Sequence, residues 1–407
     1  MAEVLLRGGR VWRTPGEAVQ TADVLIRNGV IAEIGAVTAT SAGAVTATSA
    51  EVIDVPGRLL LPGLVEAHCH LDKTLYGGPW VPHSAGEPLA ERISNDRNRR
   101  GELGIPDVDR ITALLERMVV AGTTYVRSHT DVDPEVGLRG VEAVRAAAER
   151  LNGRIAIEQV AFPQHGVLVN PGTAELLEEA LKNGVETIGG IDPAGFDRDP
   201  VRQLDLIFGL AERYGAGVDI HLHDGGTLGA FEFELIIERT LAAGLGGKVA
   251  ISHGYALPQI AEGQRAALVD RLAEAGVTMV TCAVYDFPVA PVKQLRAAGA
   301  NVACGHDGIR DLWGPFGTGD MLERAMHLAY RNTFRRDEDI ELALEAATHG
   351  GARALGLASY GLNPGAPADI VVVSAETPAE AVVARPPREL VIKAGRVVAR
   401  DGTLGAI

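Results

Sequence analysis

The sequence predicts an α/β protein: a (β/α)8, TIM-like barrel joined to a small β-sandwich module built from both chain ends. Three observations lead there. Eight short β-branched runs each end in polar residues and are followed by a helical pattern, which is the rhythm of a parallel barrel. Both ends of the chain instead read as strands and turns. No Gly-x-Gly-x-x-Gly phosphate loop follows the first run, which argues against a doubly wound sheet. With 407 residues, the chain has room for a barrel of about 250 residues and a smaller unit.

The N-terminal strands are Val4–Trp12 and Ala22–Ile34, the second interrupted by Asn28-Gly29, a hairpin-turn dipeptide. The heptapeptide Ala36–Ala42 recurs as Ala44–Ala50. One tandem copy is no solenoid, so it reads as a lengthened surface loop. The barrel runs are Val65–His70, Thr123–Asp131, Ile155–Gln164, Glu186–Asp192, Val218–Asp224, Val249–Gly254, Val277–Val284 and Asn301–Asp307. Apolar residues three and four apart, as in Ile111-Leu114-Leu115-Met118-Val119 and Leu204-Ile207-Phe208-Leu210-Ala211, mark the intervening helices. The strand Ile370–Val373 and the hairpin Glu389–Ala399 then return to the opening pattern, with Val391 and Gly395 spaced like Val4 and Gly8. The expected units are 1–57 with 365–407 for the module and 58–364 for the barrel.

A net charge of −15 makes the nucleic-acid backbone a poor partner. Cys69, Cys282 and Cys304 form no disulfide framework. The N-terminus has no basic segment followed by a long apolar one. No run reaches the roughly 18 apolar residues of a membrane span. The expectation is a soluble cytoplasmic protein with a small-molecule substrate and neither nucleic-acid nor membrane partners.

Barrel enzymes place their chemistry at the C-terminal ends of the strands. The first strand ends in His68-Cys69-His70, whose imidazoles share one face by strand alternation. Alone, His-x-His carries little weight. The fifth strand adds His221-Leu222-His223-Asp224, the sixth Ser252-His253, and the eighth His306-Asp307-Gly308. Imidazoles and a carboxylate on one rim are a donor set for Zn or Fe. Cys69 faces away from its neighbours and reads as packing. His129 reads first as a barrel-interior hydrogen-bonding residue, with reach into the site as the alternative.

These stretches, with Pro62–Thr74, Val160–Gln164, Val218–His221 and Gly305–Leu322, resemble the amidohydrolase superfamily, within it the cytosine deaminase branch. They are also similar to the N-isopropylammelide amidohydrolases. The resemblance covers nearly the whole chain. It implies one divalent metal per chain (Zn or Fe) on His68, His70, His221 and Asp307, with His253 facing the attacking water or the substrate. It also implies a homo-oligomer. Binuclear relatives bridge two metals with a Lys or Glu on the fourth strand. That strand has no Lys here, and Glu186 stands at its beginning, so one metal is expected. Gln164 would read a heterocyclic amide edge, Trp313 would stack on the ring, and Lys73 and Asp192 would be substrate contacts. For Lys73 the alternative is a salt bridge to Asp72 or Asp311, and for Asp192 a loop cap.

A metal lowers the pKa of its bound water to about 7. Asp307 would take the water's proton, His253 would stabilise developing charge, and a donor would protonate the leaving nitrogen. Cytosine deaminases use a Glu three residues after the fifth-strand ligand. Here that position is Asp224, one methylene shorter, and His223 precedes it, as in the triazine relatives. His223 is therefore placed ahead of Asp224 as proton shuttle. The reading is a hydrolase that attacks an amino-substituted nitrogen heterocycle (cytosine, isocytosine or aminotriazine type) and releases ammonia or an alkylamine. Hydrolysis of a cyclic amide or N-acyl bond by the same site is the alternative. The intact ligand set argues against a non-catalytic scaffold.

Overall fold

A computed structural model describes residues 3–36, 50–84, 86 and 89–405. The tandem heptapeptide lies almost wholly outside the described residues. The terminal strands are β1 (Glu3–Val11), β2 (Gln20–Arg27), β3 (Val30–Gly35), β4 (Ala50–Asp54) and β5 (Leu59–Pro62). The barrel strands are β6 (Leu64–Cys69), β7 (Thr123–Asp131), β8 (Ala156–Phe162), β9 (Thr187–Ile191), β10 (Gly217–Leu222), β11 (Val249–His253), β12 (Thr278–Thr281) and β13 (Val302–Cys304). The chain ends with β14 (Ile370–Val373), β15 (Arg388–Lys393), β16 (Arg396–Arg400) and β17 (Thr403–Leu404).

All eight expected barrel runs are strands. They pair in parallel, in chain order from β6 to β13. The ring is drawn together between β13 and β6 by one bridge, Cys69 with Asp307. There Asp307 N–H donates to His68 O at 2.9 Å and His70 N–H to Asp307 O at 3.3 Å. The seam of the barrel is therefore made by the very residues the sequence marks as functional.

Except for β7, the strands end before the expected runs do. His70, Gln164, Asp192, His223, Asp224 and Asp307 all fall just beyond strand ends, where the backbone is free to leave β geometry. Asp192, His253 and Asp307 take φ of +32°, +70° and +67°. Such strain in non-glycine residues gathers at functional sites.

The helices form as their patterns require. Val108–Val120 buries Ile111, Leu114, Leu115, Met118 and Val119, and Asp107 caps it by accepting from the N–H groups of Asp109 and Arg110. Pro200–Tyr214 begins at Asp199 and stops at Gly215, which takes the left-handed φ of +68° that favours glycine.

The terminal strands form a single nine-stranded sheet in the order β17-β16-β15-β14-β5-β1-β2-β3, with β4 on β1. Asn28 and Gly29, at φ +50° and +83°, make the expected turn between β2 and β3. The segment Leu59–Pro62, which a boundary at residue 58 assigns to the barrel, is β5. It pairs with β1 and β14 and so joins the two chain ends. Buried polar links fasten this sheet to the barrel: Lys393 Nζ lies 2.8 Å from Asp369 Oδ2 and 3.4 Å from the centre of the Tyr125 ring. Among the described residues, no helix is long and apolar enough to cross a membrane.

Candidate active site

At the C-terminal rim of the barrel, His68, His70, His221, His253 and Asp307 converge. Ring nitrogens of His68, His70 and His221 lie within 4.8 Å of one another, and so do donor atoms of His68, His253 and Asp307.

Hydrogen bonding fixes which nitrogens are free. Ser252 Oγ donates to Asp219 Oδ1 at 2.7 Å, so its oxygen accepts from His68 Nδ1 at 2.9 Å. His70 Nδ1 donates to the carbonyl of His129 at 2.9 Å. Burial, then Lys73, lowers the pKa of His70 to about 4, so its ring is neutral at pH 7. His70 therefore turns a bare Nε2 lone pair toward Asp307 Oδ1 at 3.3 Å, and His68 Nε2 faces the same oxygen at 3.7 Å. A lone pair facing a carboxylate repels it unless a cation lies between them. His68 Nε2 and both ring nitrogens of His221 and His253 are buried without a hydrogen-bond partner. A buried, unpartnered polar atom costs free energy. A bound divalent ion removes that cost at several atoms at once, so the residues fit the metal. The outward partners, Ser252–Asp219 for His68 and the His129 carbonyl for His70, hold each ring in the tautomer a ligand needs.

A second framework holds the seam. Glu66 is fully buried. Its Oε1 accepts the backbone N–H groups of His68 and His306, both at 3.0 Å, and its Oε2 accepts from His306 Nδ1 at 2.5 Å. One carboxylate thus fixes the ends of β6 and β13 relative to each other.

Asp192 lines the central cavity and also caps the turn after β10. Its Oδ1 accepts the N–H groups of His223 and Asp224 at 2.5 and 3.2 Å, and its Oδ2 pairs with His223 Nδ1 at 2.8 Å. Burial pushes the pKa of His223 down, but Asp192, Asp307 and Asp224 together raise it. His223 lines the central cavity of about 950 Å³, and Asp224 is not among the lining residues. Asp224 Oδ2 instead accepts from Gly195 N–H at 2.6 Å.

On the far side, Lys73 is 2% exposed. It donates to Gln164 Oε1 at 2.6 Å and pairs with Asp131 Oδ1 at 2.9 Å. Its partner is Asp131, not the Asp72 or Asp311 that the sequence suggested, because Asp131 is carried in at the end of β7. A lysine only donates, so the Gln164 oxygen faces Lys73. Among the described residues its amide nitrogen makes no protein hydrogen bond. The Trp313 ring lies 5.9 Å from Lys73 Nζ and lines the same cavity. Cys69 is buried, with Sγ toward the Arg127 carbonyl at 3.7 Å. Burial, then Glu66, raises its pKa well above the ordinary thiol value. Glu186 caps Gln159 N–H at 3.0 Å near the opposite end of the barrel. His129 makes no hydrogen bond through its ring. Its ring centre lies 3.9 Å from that of His68, so it reaches the metal-ligand cluster, and the expected barrel-interior hydrogen bond is not made.

Glu66, Asp219, Ser252 and Asp131 escaped sequence reasoning. Glu66 and Asp219 each stand two residues before a ligand candidate, so alternation already placed them on the ligand's side of the strand. Nothing in the chain alone shows that they meet His306 and Ser252.

A barrel whose rim gathers four imidazoles and a carboxylate of this kind belongs to the class of hydrolases that work with a divalent metal. Residues 106–399 match the amidohydrolase family, and the chain belongs to that family, in its cytosine deaminase-like branch. It is a C–N bond hydrolase. It is 31% identical over 398 residues to the N-isopropylammelide isopropyl amidohydrolase of Pseudomonas sp. (strain ADP), covering 94% of this chain and 99% of the relative. The solved N-isopropylammelide isopropylaminohydrolase of Burkholderia multivorans ATCC 17616 is 46% identical, with a TM-score of 0.92 and 100% of both chains covered. The 5-methylcytosine deaminase of Klebsiella pneumoniae, liganded with 5-fluorocytosine, is 28% identical, with a TM-score of 0.82 over 98% of this chain and 97% of the other.

Proposed function

We propose that this protein hydrolyses the exocyclic C–N bond of an amino-substituted nitrogen heterocycle, of cytosine, isocytosine or aminotriazine type, releasing ammonia or an alkylamine. The observation that carries this reading is the pairing, across one cavity, of the partnerless imidazole–carboxylate cluster with Gln164, Lys73 and Trp313. An amide and an ammonium beside an indole suit a flat ring with amide edges. The N-isopropylammelide and 5-methylcytosine enzymes named above support the same substrate class.

His68, His70, His221 and Asp307 would hold one Zn or Fe ion per chain. The ion supplies Lewis-acid activation of water at neutral pH. Asp307 accepts a proton from the attacking water. His253 stays neutral, since burial and then His223 hold its pKa well below the ordinary value, and it donates a hydrogen bond to the oxygen being added. His223 delivers a proton to the leaving nitrogen, with Asp192 fixing its orientation and Asp224 behind it. Gln164 and Lys73 hold the ring's amide edge, and Trp313 covers its face.

The same reading takes the chain as two units, the barrel and a β-sandwich from the two ends. A shared core of Leu6, Ile26, Leu60, Ile370 and Ile392 supports the sandwich, which would form if the one sheet folded over itself. It also takes the protein as a cytoplasmic homo-oligomer acting on a small molecule. The test is a screen of amino-pyrimidines, amino-triazines and cyclic ureas against the metal-loaded protein, read by ammonia or amine release. Turnover confined to cyclic ureas would move the function to cyclic-amide cleavage.

A further inference from the structure

We propose that the amine this enzyme releases carries a flat apolar group of aryl or benzyl size, held along an aromatic wall on the His223 side of the cavity. The inference rests on the amino-heterocycle reading above.

The cavity has two unlike sides. Lys73 and Gln164 come from the ends of β6 and β8, the first and third barrel strands. Across the mouth, the loops after β11 and β12 bring Tyr255, Tyr285 and Phe287. Tyr255 lies 5.5 Å from His223 and 5.6 Å from His253, centre to centre. The rings then continue outward in steps: Tyr255 to Phe287 at 5.6 Å, Phe287 to Tyr285 at 6.0 Å, and Tyr285 to Phe316 at 5.9 Å. All of these separations suit aromatic contact. If Gln164 and Lys73 hold the ring edge and His223 protonates the leaving nitrogen, whatever that nitrogen carries runs along this wall.

The wall is built in advance of any ligand. Ala283 and Tyr285 both take left-handed φ, +48° each, a strained conformation for side-chain-bearing residues. One guanidinium holds them there: Arg331 donates to the carbonyls of Val284 at 3.4 Å, Phe287 at 2.7 Å and Tyr285. Arg324 fixes the Cys282 carbonyl just before them at 2.7 Å. The Tyr285 hydroxyl fits against Gly314, where a Cβ would come within 2.2 Å of it. Outward, Tyr285 and Phe316 are 50% and 69% exposed, so the wall reaches the mouth of the cavity.

Size points the same way. The cavity holds about 950 Å³, near the upper end of the roughly 300–1,000 Å³ of sites that enclose drug-sized ligands. A bare aminopyrimidine is far smaller than that space and too short to span the wall from Tyr255 to Phe316. The reaction balances without any further reagent. Water's oxygen forms the new ring C–O bond, the ring C–N bond breaks, and water's two protons end on the hydroxylated ring and on the departing amine.

The test compares kcat/KM of the metal-loaded enzyme on three triazines that differ only at the leaving nitrogen: amino, isopropylamino and benzylamino. An aromatic pair contributes about two- to twelvefold, so the benzyl compound is expected to exceed the isopropyl compound by roughly tenfold. Phe287→Ala and Tyr285→Ala should each lower the benzyl-to-isopropyl ratio three- to tenfold. Both substrates are read on the same preparation, so the ratio does not depend on how much of a variant folds. A wild-type ratio of one or less, or a ratio unchanged in both variants, overturns the inference alone. Turnover of none of the three overturns the inference, and overturns the proposed function with it when the amino-pyrimidines of the screen also release no amine.

Discussion

Replacing Glu66 by Ala tests whether the active site is held in register by the closure of the barrel. The carboxylate satisfies three donors: the N–H groups of His68 and His306 and the His306 Nδ1–H. Alanine leaves all three without a partner at a site with no solvent access. Each orphaned donor costs about 1–3 kcal/mol, so the loss is roughly 3–9 kcal/mol, with water entering the vacated space favouring the lower figure. At about 2.1 cal/mol/K per residue, a 407-residue chain melting as one unit loses about 1 °C for each 0.85 kcal/mol. The melting midpoint should therefore fall by roughly 4–11 °C. Glu66→Gln is expected to be much milder. The Gln carbonyl still accepts both N–H groups, and His306 can move its proton to Nε2, which has no partner now, and accept from the new amide. The assay is calorimetry at matched metal content, with kcat measured well below the midpoint. Activity should fall in the alanine variant even where it is folded, because His68 and His306, the neighbour of Asp307, lose their common brace. An alanine variant melting within 2 °C of wild type with unchanged kcat would refute the argument.

Other outcomes follow from the site. Elemental analysis after reconstitution should find close to one divalent metal per chain; two tightly held ions, or none, would overturn the single-metal reading. Asp307→Asn keeps an oxygen for coordination but cannot accept a proton, so kcat should drop about 10²–10⁴-fold with circular dichroism unchanged; activity within tenfold of wild type would put the base elsewhere. His223→Ala should lower kcat more than Asp224→Ala, because only His223 lines the cavity; a dead Asp224 variant beside a nearly normal His223 variant reverses the assignment. Asp311 is pushed up to about 7 by burial, from an ordinary 3.8. Its folded state therefore binds the proton more tightly, and stability that is complete below about pH 4 is lost as pH rises toward 7. Asp311→Asn keeps an acceptor for the N–H groups of Trp313 and Gly314, which now donate to Asp311 at 2.8 and 2.9 Å. It should raise the melting midpoint at pH 8 relative to wild type and not at pH 4; equal shifts at both pH values would contradict this.

Local pattern alone determined much of this protein. Strand runs closed by polar residues and helices with three- and four-residue spacing record burial on one face, and burial is a property of each segment. The eight barrel strands, the hairpin at Asn28-Gly29 and the rim positions of His68, His70, His221, His253 and Asp307 were legible for that reason. What the chain could not reveal depends on residues far apart in sequence. Asp131 rather than Asp72 neutralises Lys73 because β7 ends beside the Lys73 turn. Asp192 gives both oxygens to His223 and Asp224 because β9 and β10 are neighbours. Leu59–Pro62 joins the terminal sheet because β14 returns to pair with it. The choice of tautomer at His68, set by Ser252 and Asp219 across three strands, is also tertiary. A side chain's type states which bonds it is able to make. Only packing decides which partner arrives, and a buried polar atom must take whichever one the fold delivers.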